Sequence, residues 1–450
     1  MATLIKSISG IRGIVGDGLS PENLIKFTGA YAEFCNFGKI IVGRDSRITG
    51  DFIRNIVIGT LNSLGCDVID LGICPTPTVE IYVNHEKANG GIIITASHNP
   101  IEYNALKLLN STGMFLSPSE AKKYFQLVDS YELKCNSWDS IGKTKIVHNS
   151  WTLHLENIYA LPIIDVDLIR SKKFNVLVDC VNGAGIDVVP KLLTDLGCSV
   201  TKYNCDSSGV FPRNPEPIPE NLTSTISIAK EGNFDFTVIV DPDVDRLVLL
   251  TDQGEPFGEE NTIALVADYV LSKSLGDVVI NLSTTRSVED IAKQYKVKVH
   301  RTPVGEINVS TKMKEVSAVI GGEGSGGVIY PPLLFGRDAL VGIALVLQSL
   351  SESNKKLSTI KNEMPQYNIV KDKFKVSSIN PNDVLAHFIQ TFSNEKMNTS
   401  DGVRIDFEDH WIHIRKSNTE PIVRLIVEAK TENEAKNYMS RYKRLISDLK

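Results

Sequence analysis

The chain has no Cys-x-x-Cys pair, no long apolar run and no excess of positive charge, and each absence removes a class of function. Its seven cysteines (Cys35, Cys66, Cys74, Cys135, Cys180, Cys198 and Cys205) are an odd number without metal-type spacing. Thiolate metal chemistry and a secreted disulfide framework are therefore not expected. Thiols packed as small hydrophobes suit a cytoplasmic protein. Residues Met1 to Ser7 lack the apolar core of a secretory signal, and no stretch reaches the length of a membrane span, so no membrane partner is expected. With 48 Lys and Arg against 54 Asp and Glu, the net charge is −6. That balance carries no nucleic-acid footprint. Three nucleotide motifs are also missing. Gly142-Lys143-Thr144 lacks the upstream glycine of a P-loop. Gly322, Gly324 and Gly327 have dinucleotide-type spacing, but Val328 to Pro332 cannot open the helix that motif needs. A kinase glycine loop fails as well, because no catalytic loop or Asp-Phe-Gly accompanies it.

What is present is a soluble globular composition, 42% hydrophobic and 23% charged, spread over 450 residues. That length exceeds one core and predicts three or four domains. A strand–helix unit recurs three times. The first copy runs through the strand 39–43, a helix near 51–64 and a second strand within 64–72, and it ends in the β-branched run Ile92-Ile93-Ile94. The second has strand 175–179, helix 188–196 and strand 234–240, and it repeats Leu64-Gly65-Cys66 as Leu196-Gly197-Cys198. The third has strand 277–281, helix 288–295, strand 297–300 and strand 316–320. Alternating strands and helices predict βαβ units with largely parallel sheets. The last segment differs, with short strands at 403–407, 411–415 and 422–428 and a final helix opened by the capping box Thr431 and Glu434. It reads as a smaller α+β domain.

Each repeat ends in a loop of unusual chemistry. The first delivers Ser97, followed by His98, Asn99 and Pro100, either as a turn residue or as a hydroxyl set at a strand end where open α/β sheets build sites. His98 is not expected to serve Ser97 as a base, because adjacent side chains diverge. The second loop carries Asp241, Asp243 and Asp245 around Pro242 and Val244. Alternate carboxylates on an extended chain stand about 7 Å apart, so one cation can hold all three only if the backbone curls. An EF-hand fails here, since Arg246 stands where its glycine should be and a strand precedes the loop. Hard oxygen donors favour Mg²⁺ with phosphate. The third loop sets Glu323 and Ser325 among glycines, as a close-approach loop for ligand hydroxyls or as a purely conformational turn. In the last domain Arg415, Ser417, Asn418, Thr419 and Arg424 form a set suited to a phosphate dianion. His410 and His413 flank an apolar strand and read as structural.

With Thr95 to Pro100, Asp241 to Arg246, Gly322 to Gly326 and Arg415 to Pro421 in this order, the chain resembles the α-D-phosphohexomutases from end to end. Ser9 to Gly13, Val42 to Arg47 and Pro75 to Pro77 extend the match. The resemblance implies a phosphoserine domain (1–150), a metal-binding domain (151–255), a sugar-binding domain (256–366) and a C-terminal phosphate-binding domain (367–450), with the active site in the central cleft. It implies that Ser97 is the phosphoserine and, with Asp241, Asp243 and Asp245, a ligand of Mg²⁺. Arg246 would accompany the metal loop, and Arg12 and Lys107 would stand by the transferring group. Glu323 and Ser325 would hold sugar hydroxyls. Arg415, Ser417, Asn418, Thr419 and Arg424 would grip the phosphate that does not react. The implied cycle passes phosphate from Ser97 to the sugar, forms a sugar bisphosphate that also serves as activator, and returns the other phosphate to Ser97.

Several positions depart from the family pattern. Members often have Gly where Ala105 stands and His where Gly327 stands, and some carry His near Glu306. These departures put a mechanism built on those histidines in question and favour Lys107, which the resemblance sets beside the transferring group, as candidate proton shuttle. Asn418 is typical of phosphomannomutases and phosphoglucomutases. The glycine-rich loop and Gly336 to Ala339 look like phosphoglucosamine mutases. The reading favoured is glucosamine 6-phosphate to glucosamine 1-phosphate by a cytoplasmic monomer or homodimer. A Mg²⁺-dependent sugar phosphatase with Asp241 as nucleophile, or a non-catalytic phosphosugar-binding protein, are the rivals of a different class.

Overall fold

The computed structural model describes residues 3–375, 380–416 and 422–448. It divides into two compact units, Met1–Thr262 with Gly326–Thr359, and Ile263–Ser325 with Ile360–Lys450. The first unit holds a seven-stranded sheet in the order Ile5–Ser7, Gly10–Ile14, Tyr103–Leu109, Gly90–Ile94, Ile40–Arg44, Val68–Ile73 and Thr144–Ile146. The strands Ile40–Arg44, Val68–Ile73 and Gly90–Ile94 are parallel, joined through the helices Gly50–Ser63 and Thr76–His85. The strand Tyr103–Leu109 returns antiparallel beside Gly90–Ile94. Ile40, Ile41, Ile92, Ile93 and Ile94 have no solvent exposure. That burial explains why this sheet reads as continuous apolar runs rather than as alternation.

A second sheet in the same unit is ordered Leu247–Leu250, Phe236–Val240, Asn175–Asp179 and Ser199–Tyr203. Its inner strands are parallel, and Leu247–Leu250 turns back antiparallel after the aspartate loop. The helix Ala339–Ser353 is buried over most of its circumference, as an apolar surface all round requires. Asp338 caps it by accepting from Leu340 N.

In the second unit the strands Val299–Thr302, Val278–Asn281 and Ile320–Glu323 run parallel. A five-stranded antiparallel sheet (Asn368–Lys375, Ile422–Ala429, His410–Lys416, Val403–Asp406, Lys396–Asn398) packs one face on the helices Pro381–Thr391 and Glu432–Ser447. The capping box of Thr431 and Glu434 forms as expected. Ala435, Met439, Tyr442 and Ile446 are buried, with Tyr438 and Leu445 beside them. Leu449, which follows at helical spacing, lies outside the described residues.

One predicted strand is displaced. Val316 to Ile320 is not a strand. The helix Glu306–Val316 continues to Val316 because Val309 and Met313 bury at helical spacing. Ser317 ends it at φ +53°, and the strand begins only at Ile320. Glu323 is therefore the last residue of a strand rather than a member of the glycine loop. The strand expected at 297–300 sits at Val299–Thr302, and the helix expected from 188 starts at Gly185.

Candidate active site

The strand Gly90–Ile94 delivers Ser97 onto a loop that buried polar groups hold in place. Ser97 takes φ +50°, a left-handed conformation that few non-glycine residues adopt. Its N–H donates to Thr95 Oγ1 at 2.9 Å, and Thr95 Oγ1 donates to Asp45 Oδ2 at 2.6 Å. Arg47, fully buried, donates to the carbonyls of Ser97 (2.6 Å), Asn99 (2.7 Å), Pro100 (2.7 Å) and Tyr103 (3.0 Å) and to Asp45 (3.0 Å). Five donations from one guanidinium determine the path of the loop. Sequence reasoning assigned Asp45 and Arg47 no role. The available signal was an acid and a base directly after the buried strand Ile40–Arg44.

Ser97 Oγ donates to Asp241 Oδ2 at 2.9 Å. The expectation that Ser97 and His98 diverge is corrected, since His98 Nδ1 lies 3.3 Å from Ser97 Oγ. The alternation argument assumes an extended backbone, and the positive φ at Ser97 removes it. Arg246, then burial, pushes the His98 imidazole well below its ordinary range, so the ring is neutral beside the hydroxyl.

The aspartate loop curls as a shared cation site would require. Val244 sits at φ +60°, a strained position for a β-branched residue, and its N–H donates to Asp241 O at 3.1 Å. The amides of Asp245 and Arg246 both donate to Asp241 Oδ1 at 3.2 Å. Asp241, Asp243 and Asp245 are fully buried, with ligand oxygens within 4.8 Å of one another. Lys107 Nζ lies 2.6 Å from Asp243 Oδ2 and 3.7 Å from Asp245 Oδ2. Thr76 Oγ1 donates to Asp243 Oδ2 at 2.7 Å, and Arg337 donates to Asp245 Oδ2 at 2.5 Å. Arg246 Nε stands 3.8 Å from Asp245 Oδ1. Burial, then Asp245 and Asp243, push the Asp241 carboxyl far above its ordinary range. Burial would do the same to Asp243, but Lys107 outweighs it and holds that carboxyl low.

The donor set fits a divalent cation. Asp243 Oδ1 and Asp245 Oδ1 are buried without a hydrogen-bond partner, an arrangement that is costly unless a cation takes the lone pairs. Hard carboxylate oxygens suit Mg²⁺. Ser97, Arg12 and Lys107 line one pocket, with Arg12 and Lys107 on adjacent antiparallel strands. Burial pulls the Arg12 guanidinium below its ordinary range, so negative charge in this pocket would be stabilised. Thr76 and Arg337, like Arg47, went unassigned in the sequence.

In the second unit Glu323 is buried and accepts from Asn281 Nδ2 (2.8 Å) and Gly305 N (3.0 Å), with Ser325 half-buried two residues on. Arg415 pairs with Asp401 at 3.3 Å, and Asp401 also accepts from Val304 N at 3.1 Å. Arg415 and Arg424 stand opposite each other on adjacent strands, a register that places two like charges on one face. His413, as expected, is structural: its Nδ1 meets Ser283 Oγ at 2.9 Å and its Nε2 donates to Asp401 O at 2.8 Å. Ser417, Asn418 and Thr419 lie outside the described residues.

Known proteins match this chain along its whole length. The phosphoglucomutase/phosphomannomutase alpha/beta/alpha domains I, II and III match residues 4–134, 152–254 and 259–367, and the C-terminal domain of that family matches 369–444. A phosphoglucomutase/phosphomannomutase of Thermococcus kodakarensis is 37% identical over 439 residues, spanning 96% of this chain and 95% of that protein. The chain belongs to the α-D-phosphohexomutase superfamily. This phosphohexomutase is also 32% identical to a phosphoglucosamine mutase of Methanococcus vannielii, over 96% of each chain. Its fold matches a phosphoglucomutase/phosphomannomutase family protein of Burkholderia thailandensis with a TM-score of 0.85 at 22% identity, covering 98% of this chain and 97% of that one. The four-domain α/β architecture is that of the superfamily, and the chain is an enzyme of the isomerase class.

Proposed function

We propose that this phosphohexomutase interconverts hexose 6- and 1-phosphates through a phosphorylated Ser97 and a sugar bisphosphate, with glucosamine 6-phosphate as its substrate. One observation carries the reading: Ser97 Oγ, on a loop fixed by Arg47, stands 2.9 Å from Asp241 in a buried carboxylate triad. Ser97 is the phosphate carrier. Asp241, Asp243 and Asp245 would hold Mg²⁺ together with the phosphate on Ser97. Bound there, the cation supplies electrostatic stabilisation of the transferring group. Arg12 and Lys107 bring positive charge to the same pocket, and Arg246 adds its charge beside Asp245. As the O–P bond at Ser97 breaks, a new one forms to the sugar hydroxyl, and one proton passes from that hydroxyl to Ser97 Oγ: Lys107, an ammonium beside Asp243, gives its proton to the serine oxygen and takes up the sugar's. The reverse transfer takes the other phosphate back to Ser97. Catalysis is then mostly in-line positioning and charge neutralisation.

Glu323 and Ser325 are assigned to sugar hydroxyls. The phosphate that does not react is assigned to Arg415, Arg424, Ser417, Asn418 and Thr419, supported by the positions of Arg415 and Arg424 directly opposite each other on adjacent strands. Glucosamine phosphate rests on the name of the Methanococcus relative. The Thermococcus relative supports a second reading, mannose or glucose phosphate by the same mechanism. The phosphatase reading is weakened by Asp241 itself, whose oxygens are engaged by Ser97 and by two backbone amides. We expect a cytoplasmic monomer or homodimer; five buried free thiols support a reducing compartment.

Intact mass of the purified enzyme tests the mechanism. A stable phosphorylated species, absent in Ser97→Ala, supports it. Full activity in Ser97→Ala with loss in Asp241→Asn would overturn it in favour of the phosphatase. Comparing kcat/KM across glucosamine, mannose and glucose phosphates, with a sugar bisphosphate present, decides the substrate.

A further inference from the structure

Asp245, like Asp243, has one carboxylate oxygen held by a side chain from another segment and one buried without a hydrogen-bond partner, but the group that holds it is an arginine. Asp241 is oriented by its own loop amides, and Asp243 by Lys107 and Thr76. Asp245 Oδ2 instead takes a 2.5 Å hydrogen bond from Arg337, 92 residues away in sequence. Its Oδ1 is buried without a hydrogen-bond partner, with Arg246 Nε at 3.8 Å. One oxygen is fixed and the other is left for a ligand.

The segment that brings Arg337 there is fastened to the aspartate loop at both ends. Leu247 N donates to Gly326 O at 2.9 Å, and Ala339 N donates to Val244 O at 3.1 Å. Between them, Arg337 lies across Gly327. A Cβ on Gly327 would stand 2.4 Å from Arg337 Cδ and 3.0 Å from its Cγ. Gly327 sits in the buried strand Gly327–Ile329 without a positive φ, so backbone conformation does not demand glycine there. What demands it is the aliphatic stem of Arg337.

We propose that Arg337 is a positioning residue for the metal site, pinning Asp245 Oδ2 so that Oδ1 is presented to a divalent cation, and that Gly327 is the space this arginine requires. The proposal rests on reading the aspartate triad as the Mg²⁺ site. Partners of this kind orient a ligating carboxylate, and their loss typically weakens metal binding about 10–100-fold.

The test is Mn²⁺ binding to the full chain, followed by calorimetry and by the electron paramagnetic resonance of free Mn²⁺, which needs no turnover. Arg337→Met is expected to weaken Mn²⁺ about 10–100-fold, with Arg337→Lys recovering part of the loss. Gly327→Ala keeps every charge, and it is expected to act in the same direction by displacing the arginine stem. If Gly327 acts through Arg337, the double variant binds Mn²⁺ no more weakly than Arg337→Met alone. If Arg337→Met folds poorly, Gly327→Ala, Arg337→Lys and their double variant, which all retain the cation, give the same cycle, and additive losses in it would overturn the proposal. Unchanged or tighter Mn²⁺ binding in Arg337→Met, or additive effects in the double variant, would overturn it. Loss of Mn²⁺ binding in Asp243→Asn, with normal binding in Arg337→Met, would leave the metal reading intact and remove this one. A wild type that binds no Mn²⁺ would remove both.

Discussion

Arg47 shows how much one buried charge can organise. It has no solvent exposure, lies over the Phe211 ring at 4.8 Å, and donates to four carbonyls of the Ser97 loop and to Asp45. Removing one partner of such a group leaves the others buried and unsatisfied. Arg47→Met is therefore expected to cost about 3–5 kcal/mol in urea unfolding. It should also lower kcat more than it raises KM, because Ser97 loses its fixed position. Ser97→Ala makes the complementary prediction. It removes one exchangeable hydroxyl, leaves the fold intact by far-UV circular dichroism, and abolishes mutase turnover. The aspartates were legible in the sequence because alternate carboxylates after an apolar strand form a local pattern. Arg47, Thr76 and Arg337 were not, because each acts on a partner reached only through packing.

At the scale of elements, caps and buried strands carry the predictions. The helix Glu432–Ser447 starts at a reciprocal Thr431–Glu434 box, so Thr431→Ala should cost about 1 kcal/mol, read as a lower urea midpoint. The strand His410–Lys416 buries His413, whose pKa burial pushes down to about 4. The unfolded chain titrates this group near 6.5. Between those values the unfolded state binds more protons, so stability present above pH 6.5 is lost as pH falls toward 4. The loss reaches about 3 kcal/mol. Urea unfolding from pH 7 to pH 4 should show this slope, and His413→Gln should flatten it. The strand expected at 316–320 fails at the same scale. An apolar cluster can close a helix or open a strand, and Val309 and Met313 decide for the helix by burying four residues apart.

At the scale of the whole molecule, burial of three carboxylates is costly unless cations accompany it. Lys107 and Arg337 supply two positive charges, and a divalent ion would add to them. At a hundred times its Kd, Mg²⁺ is expected to stabilise the fold by about 2.7 kcal/mol. Thermal unfolding with Mg²⁺ and with EDTA should differ accordingly, and Asp243→Asn should erase the difference. Periodicity and loop chemistry are properties of neighbours along the chain. For that reason the sequence alone determined the strand–helix repeats, the distinct smaller α+β domain at the end and the choice of Ser97, Asp241, Asp243 and Asp245 as candidate site residues. Tertiary structure decided what those neighbours could not: the left-handed turns at Ser97 and Val244, the approach of His98 to Ser97, and the seating of Arg337 on Asp245 over Gly327. These depend on which distant backbone leaves room for which side chain, and only the packed chain determines that space.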